Sequence, residues 1–264
     1  MKVKSENIKA RKISVLKLLP NIFTTIGLCS GLTGIRFALE GNWQNAVLCI
    51  LVAACFDMID GLSARLLKAF SPFGAELDSL ADAISFGVSP SIIFYLWIRE
   101  PILEIKQAHL LEWFWIPILF YTACNAFRLA RFNVLHLSEE STISRKSYFT
   151  GVPAPAGAGL LLMPLGLQFI FDRFDYNLKL SEYPFLITIW AFIISLLMIS
   201  RIPTFSFRNV RFNIARNKAI LVLLFVCLGV SIFMKETWIF LFSVGILYFI
   251  SIPFSYFAQK KDTN

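Results

Sequence analysis

Apolar runs of bilayer-crossing length recur along this sequence, joined by polar links too short to form domains of their own. A helix needs about 20 apolar residues, within roughly 17–25, to cross the hydrocarbon core. Inside that core only hydrogen bonds within the chain satisfy the backbone. The runs therefore predict an all-α, polytopic fold of about eight transmembrane helices. They lie at Leu19–Leu39, Trp43–Leu67, Gly74–Ile98, Leu111–Val134, Pro153–Phe171, Pro184–Ser200, Ala219–Met234 and Trp238–Phe257. Composition agrees, with 57% hydrophobic and 16% charged residues, against about 25% charged in a soluble domain. One integral membrane domain covers residues 1–264, and its basic segment 1–17 is expected in the cytoplasm as part of the mature chain rather than as a cleaved signal.

The net charge of +8 does not imply a nucleic-acid partner, because the basic residues sit at the ends of apolar runs. There they orient spans and attract anionic headgroups. They gather in residues 1–17, at Arg65 and Lys68, from Arg128 to Lys146, from Arg201 to Lys218, and at Lys260 and Lys261. Only Arg36, Arg99, Lys106, Arg173, Lys179 and Lys235 fall elsewhere. This asymmetry predicts an even number of spans with both ends on the cytoplasmic side of the cell membrane. The 5 cysteines lie in apolar stretches without a C-x-x-C pair, and His109 and His136 are isolated, so neither a disulfide framework nor a zinc site is expected.

Acidic residues within the second and third runs narrow the function. Asp57, Asp60, Asp78 and Asp82 fall in or beside membrane helices. A carboxylate costs about 2.5–3.5 kcal/mol at the centre of a span, so four exposed to lipid would cost on the order of 10–14 kcal/mol. They persist only by facing a polar cavity or a cation. Asp57 and Asp60 share a helical face, as do Asp78 and Asp82, and the short basic link makes the two helices antiparallel neighbours. Four carboxylates then converge near the cytoplasmic side. All-oxygen donors suit Mg²⁺, Mn²⁺ or Ca²⁺, and two such ions neutralise four charges. Small Gly61, Ala64 and Gly74 leave room beside the cluster, and Arg65 can pair with a phosphate. This describes a phosphate-handling site. Two other uses of intramembrane acids stay open at this point: ion pairs that hold helices together, and the cation path of a transporter.

As a pattern the stretch reads D-x2-D-G-x2-A-R-x8-G-x3-D-x3-D, formed by Asp57, Asp60, Gly61, Ala64, Arg65, Gly74, Asp78 and Asp82. It resembles the signature of the CDP-alcohol phosphotransferase family at every fixed position. The resemblance implies that Asp57, Asp60 and Asp78 bind a metal or metal pair, Mg²⁺ or Mn²⁺. Asp82 lies at the same centre as the base that activates the acceptor hydroxyl. Gly61, Ala64, Arg65 and Gly74 correspond to positions around the CDP moiety, and a P-N-x-x-T element, Pro20, Asn21 and Thr24, resembles the family's cytosine-nucleotide side. A homodimer with cytoplasm-facing sites is also implied.

Three later stretches resemble the family branch in which serine accepts the phosphatidyl group of CDP-diacylglycerol: F-R-L-A-R-F-N (Phe127–Asn133), G-V-P-A-P-A-G-A-G (Gly151–Gly159) and S-R-I-P-T-F-S (Ser200–Ser206). L-serine is thus the expected acceptor, with glycerol 3-phosphate and inositol phosphate as the alternatives. Arg128, Arg131 and Asn133, at the cytoplasmic end of the fourth run, are candidates to receive a carboxylate or lipid phosphate. Arg201 is a further candidate for a phosphate.

Overall fold

The computed structural model describes residues 15–104, 110–137, 148–200, 202–205 and 219–262. Helix α1 (Leu19–Leu39) turns through Glu40–Asn42 into α2 (Trp43–Leu66), whose first turn is capped by the Asn42 side chain accepting from the Asn45 N–H. The chain reverses at Lys68, in the left-handed region at φ 48°, and enters α3 (Pro72–Asp82). That helix starts before the expected Gly74 because Ser71 accepts a 3.0 Å bond from the Gly74 N–H and Pro72 occupies its first turn. A π-turn (Ala83–Val88) and α4 (Ser89–Glu104) continue it, so Pro72–Leu103 runs as one 32-residue apolar span.

The remaining helices are α5 (Leu110–Leu137), α6 (Ala154–Leu161), α7 (Met163–Arg173), α8 (Pro184–Ile199), α9 (Ala219–Lys235) and α10 (Thr237–Asp262). The fifth expected span is broken into α6 and α7, bent by 43°. Pro164 in the first turn of α7 has no N–H to return to the preceding turn. Among the described residues, four helices are long and apolar enough to cross a membrane, or five with the bent pair counted as one. The other expected spans are helical but depart from that standard. Helix α8 is 16 residues long and α9 is 17, about 25 Å of rise against a core of about 30 Å. Helix α5 is long enough, but Glu112, Asn125, Arg128 and Arg131 lower its hydropathy. The chain is a multi-pass, helical membrane protein.

One departure from the all-α expectation is a short antiparallel ribbon, β1 (Tyr148–Thr150) with β2 (Pro203–Phe205), pairing Phe149 with Thr204. Gly151, at φ 82°, ends β1 and donates its N–H to the Ile202 carbonyl at 2.9 Å. The ribbon ties the segment before α6 to the segment after α8.

Helix α1 lies along α2 and also touches α3, the π-turn and α4. Close approach requires its small residues: a Cβ on Gly34 would stand 3.0 Å from the Ala46 carbonyl oxygen, and one on Gly31 only 2.9 Å from Ser85 Oγ. Helices α4, α5, α6 and α8 enclose the apolar core around Ile93, Phe94, Leu161, Ile194 and Met198. Phe120 and Phe192 stack at 4.5 Å across α5 and α8. At the opposite end from the aspartates, Arg173 pairs with Glu236 at 2.8 Å, tying α7 to the turn between α9 and α10. The guanidinium's hydrogen bond holds the Glu236 carboxyl below its ordinary range.

Candidate active site

The four aspartates arrive from two antiparallel helix segments. Asp57 and Asp60 stand on the last turns of α2, and Asp78 and Asp82 on α3, which returns after a five-residue link. One carboxylate oxygen each from Asp57, Asp60 and Asp78 lies within 4.8 Å of the others. Asp82 adjoins Asp57 and faces the same cavity. The convergence expected from helical spacing is present. Anionic groups this close repel strongly in a medium of low dielectric, so the arrangement calls for a compensating cation. Hard oxygen donors at this separation fit a divalent ion.

Two further elements complete the cavity. Helix α1 contributes Thr24 and Gly27, and the π-turn contributes Ser85 and Phe86. Thr24 was expected on the nucleotide side; its hydroxyl donates to Asp60 Oδ2 at 2.6 Å. That bond orients the Asp60 carboxylate from α1. Asp60 is 5% exposed, and the Ser63 hydroxyl donates to its backbone carbonyl at 2.9 Å. Asn21 and Gly74, both expected near CDP, meet: a Cβ on Gly74 would come 3.0 Å from Asn21 Oδ1. Gly61 faces open space, Ala64 is half-buried and Arg65 is exposed.

The candidates on α5 divide. Arg128 is half-buried, its charge within electrostatic reach of Asp82 and Asp57, and its Nε has no hydrogen-bond partner among the described residues. Arg131 donates to the Ile199 carbonyl at 3.1 Å and to the Ser200 carbonyl at 3.5 Å, at the C-terminus of α8. Asn133 donates to Ser79 Oγ at 2.9 Å, joining α5 to the α3 turn that carries Asp78. Arg201 lies outside the described residues. Ser85, Phe86 and Ser79 escaped the sequence reading. Their only signal was position, since each lies within three or four residues of Asp78 or Asp82.

The model for CDP-alcohol phosphatidyltransferase matches residues 17–197, which include all four aspartates and α1 to α8 almost entire. The chain belongs to the CDP-alcohol phosphatidyltransferase family. Relatives agree over most of their length. A CDP-diacylglycerol–serine O-phosphatidyltransferase of Mycobacterium bovis is 32% identical over 247 residues, 93% of this chain and 80% of the relative. The enzyme of that name from Helicobacter pylori is 34% identical over 219 residues, 82% of this chain and 83% of the relative. The Bacillus subtilis one is 33% identical over 189 residues, 71% and 89% of the two chains. The match ends at Leu197, so the family-wide part of this CDP-alcohol phosphatidyltransferase stops just before the ribbon strand β2 and helices α9 and α10.

Proposed function

We propose that the chain transfers the phosphatidyl group of CDP-diacylglycerol to the hydroxyl of L-serine, giving phosphatidylserine and CMP. The observation that carries the reaction class is the convergence of Asp57, Asp60, Asp78 and Asp82 from two membrane helices within a family-wide match. Serine as acceptor is supported by relatives of one printed activity from mycobacteria, Helicobacter and Bacillus.

In this mechanism Asp57, Asp60 and Asp78, with Asp82 at the same centre, would hold two divalent ions, Mg²⁺ or Mn²⁺. When bound, the ions offset negative charge on the diphosphate and on the departing CMP. Thr24 fixes the Asp60 carboxylate. Asp82 takes the proton from the serine hydroxyl. The freed oxygen bonds to the lipid-bearing β-phosphorus as its bond to the CMP oxygen breaks, and CMP leaves with that electron pair. Arg65, exposed at the end of α2, and the small surfaces at Gly61, Ala64 and Gly74 receive the CDP moiety, with Asn21 beside Gly74. Arg128 receives the serine carboxylate, a role supported by its electrostatic reach to Asp82 and by an Nε without a partner among the described residues.

The enzyme is read as one membrane domain of eight spans in the cytoplasmic membrane, with both termini and the site facing the cytoplasm, assembled as a homodimer. The charge asymmetry of the loops supports the orientation.

The test is CMP release by purified protein from CDP-diacylglycerol with Mg²⁺ or Mn²⁺, offering serine, glycerol 3-phosphate and inositol phosphate separately. Release with serine alone, accompanied by phosphatidylserine, is expected. Release only with a phosphorylated acceptor replaces serine and keeps the reaction class.

A further inference from the structure

We propose that Tyr121 is a positioning residue for this site: by holding the π-turn Ala83–Val88 it sets the angle at which Asp82 meets Asp57 and Asp78. The inference rests on the assignment of Asp82 as the base and of its neighbours as metal ligands.

The π-turn begins at the residue after Asp82, and Ser85 and Phe86 within it line the aspartate cavity. An i→i+5 turn is a wider and rarer arrangement than the α-helix, and single π-turns cluster at functional sites. Replacing it by α-helix would rotate Asp78 and Asp82 relative to α4, which is anchored in the apolar core through Ile93 and Phe94. The direction of both carboxylates therefore depends on what keeps the turn open.

Helices on either side grip it. From α5, the Tyr121 hydroxyl donates to the Phe86 carbonyl at 3.0 Å, and Tyr121 is 0% exposed. One residue on, Gly87 is pressed against α5: a Cβ there would come 2.4 Å from Asn125 Nδ2. From α1, Gly31 admits Ser85, whose hydroxyl points to the Gly27 carbonyl at 3.5 Å. Tyr121, Asn125 and Arg128 are spaced i, i+4 and i+7, on one face of α5. That face thus holds the π-turn with two residues, against Phe86 and Gly87, and brings the charge of the third within electrostatic reach of Asp82. A tyrosine with no role beyond core packing would leave the chemistry indifferent to its hydroxyl.

The decisive variant is Tyr121→Phe in the full chain, purified into lipid nanodiscs beside wild type and Asp82→Asn. Mn²⁺ binding is read by electron paramagnetic resonance without substrate, kcat and the two KM values by CMP release, and folding by thermal midpoint. For Tyr121→Phe a kcat about 10–100-fold lower is expected, the scale set by misplacement of a reacting group, with both KM values within about twofold. Weaker Mn²⁺ binding accompanies it. Wild-type kcat and Mn²⁺ binding in folded Tyr121→Phe, whatever its midpoint, overturn the inference alone, provided Asp82→Asn is inactive. An active Asp82→Asn overturns both the inference and the assignment beneath it. Should Tyr121→Phe fail to fold, Gly87→Ala decides. It pushes the π-turn off α5 and is expected to lower kcat and Mn²⁺ binding, with recovery in Gly87→Ala/Asn125→Ala, where room is restored. Wild-type kcat and Mn²⁺ binding in Gly87→Ala overturn the inference.

Discussion

At the residue scale, Asp60 and Asp82 carry the same charge but stand in different surroundings. Asp60 is fixed by the Thr24 hydroxyl at 2.6 Å, while Asp82 lines the cavity beside Asp57 without a hydroxyl donor among the bonds of the described residues. A fixed carboxylate suits a ligand, and one able to accept a proton suits a base. Asp82→Asn keeps shape and removes basicity, so kcat should fall by about 10²–10⁴-fold, the usual contribution of a general base, while the purified protein elutes as wild type does. Full activity in that variant would remove Asp82 from the mechanism. Thr24→Val deletes the donor to Asp60. A hydrogen bond to a charged group is worth about 1.5–3 kcal/mol, so the Mn²⁺ concentration giving half-maximal activity should rise about 10–100-fold. An unchanged metal titration would reduce Thr24 to a packing residue.

At the scale of elements, the site depends on how closely α1 approaches its neighbours. A Cβ on Gly31 meets Ser85 Cα at 3.0 Å as well as its hydroxyl, so backbone has to move. Gly31→Val should destabilise the fold by about 1–3 kcal/mol, the cost of overpacking, visible as a lowered thermal midpoint in detergent. Arg131 acts between elements too, since it reaches the last carbonyls of α8 beside the ribbon. Arg131→Ala should lower the midpoint by an amount corresponding to about 0.5–1.5 kcal/mol per lost bond and leave the KM for serine within about twofold. A large rise in that KM with an unchanged midpoint would make Arg131 an acceptor ligand instead. The Arg173–Glu236 pair is exposed and far from the chemistry. Because the Glu236 carboxyl is held low, whatever it adds to stability is present at neutral pH and disappears on acidification below the ordinary carboxylate range.

Taking the molecule whole, a cation held by the acidic cluster would tie metal binding to the stability of the fold. A divalent ion that binds only the assembled cluster stabilises the folded state by mass action. Chelation should abolish CMP release and lower the thermal midpoint, and Mn²⁺ at about 100 times its Kd should raise the midpoint by the equivalent of about 2.7 kcal/mol. A midpoint indifferent to Mn²⁺ would mean that the carboxylates are compensated in another way.

Much of this was legible in the chain itself. Apolar runs specified helices and most of their limits, because a helix satisfies its own backbone in lipid whatever surrounds it. The spacing of Asp57, Asp60, Asp78 and Asp82 specified two helical faces and one short reversal, both local properties, and with them the convergence seen in the cavity. What tertiary structure alone decided were the partnerships between distant residues. That Thr24 would hold Asp60, Asn133 would meet Ser79, Arg131 would reach the end of α8, and Tyr121 would brace a π-turn depends on rotation and closeness of packed helices. The ribbon between β1 and β2 likewise joins segments more than 50 positions apart, through pairings that neither strand encodes alone. Spacing along one helix fixes which face a residue occupies; only packing in three dimensions determines what that face meets.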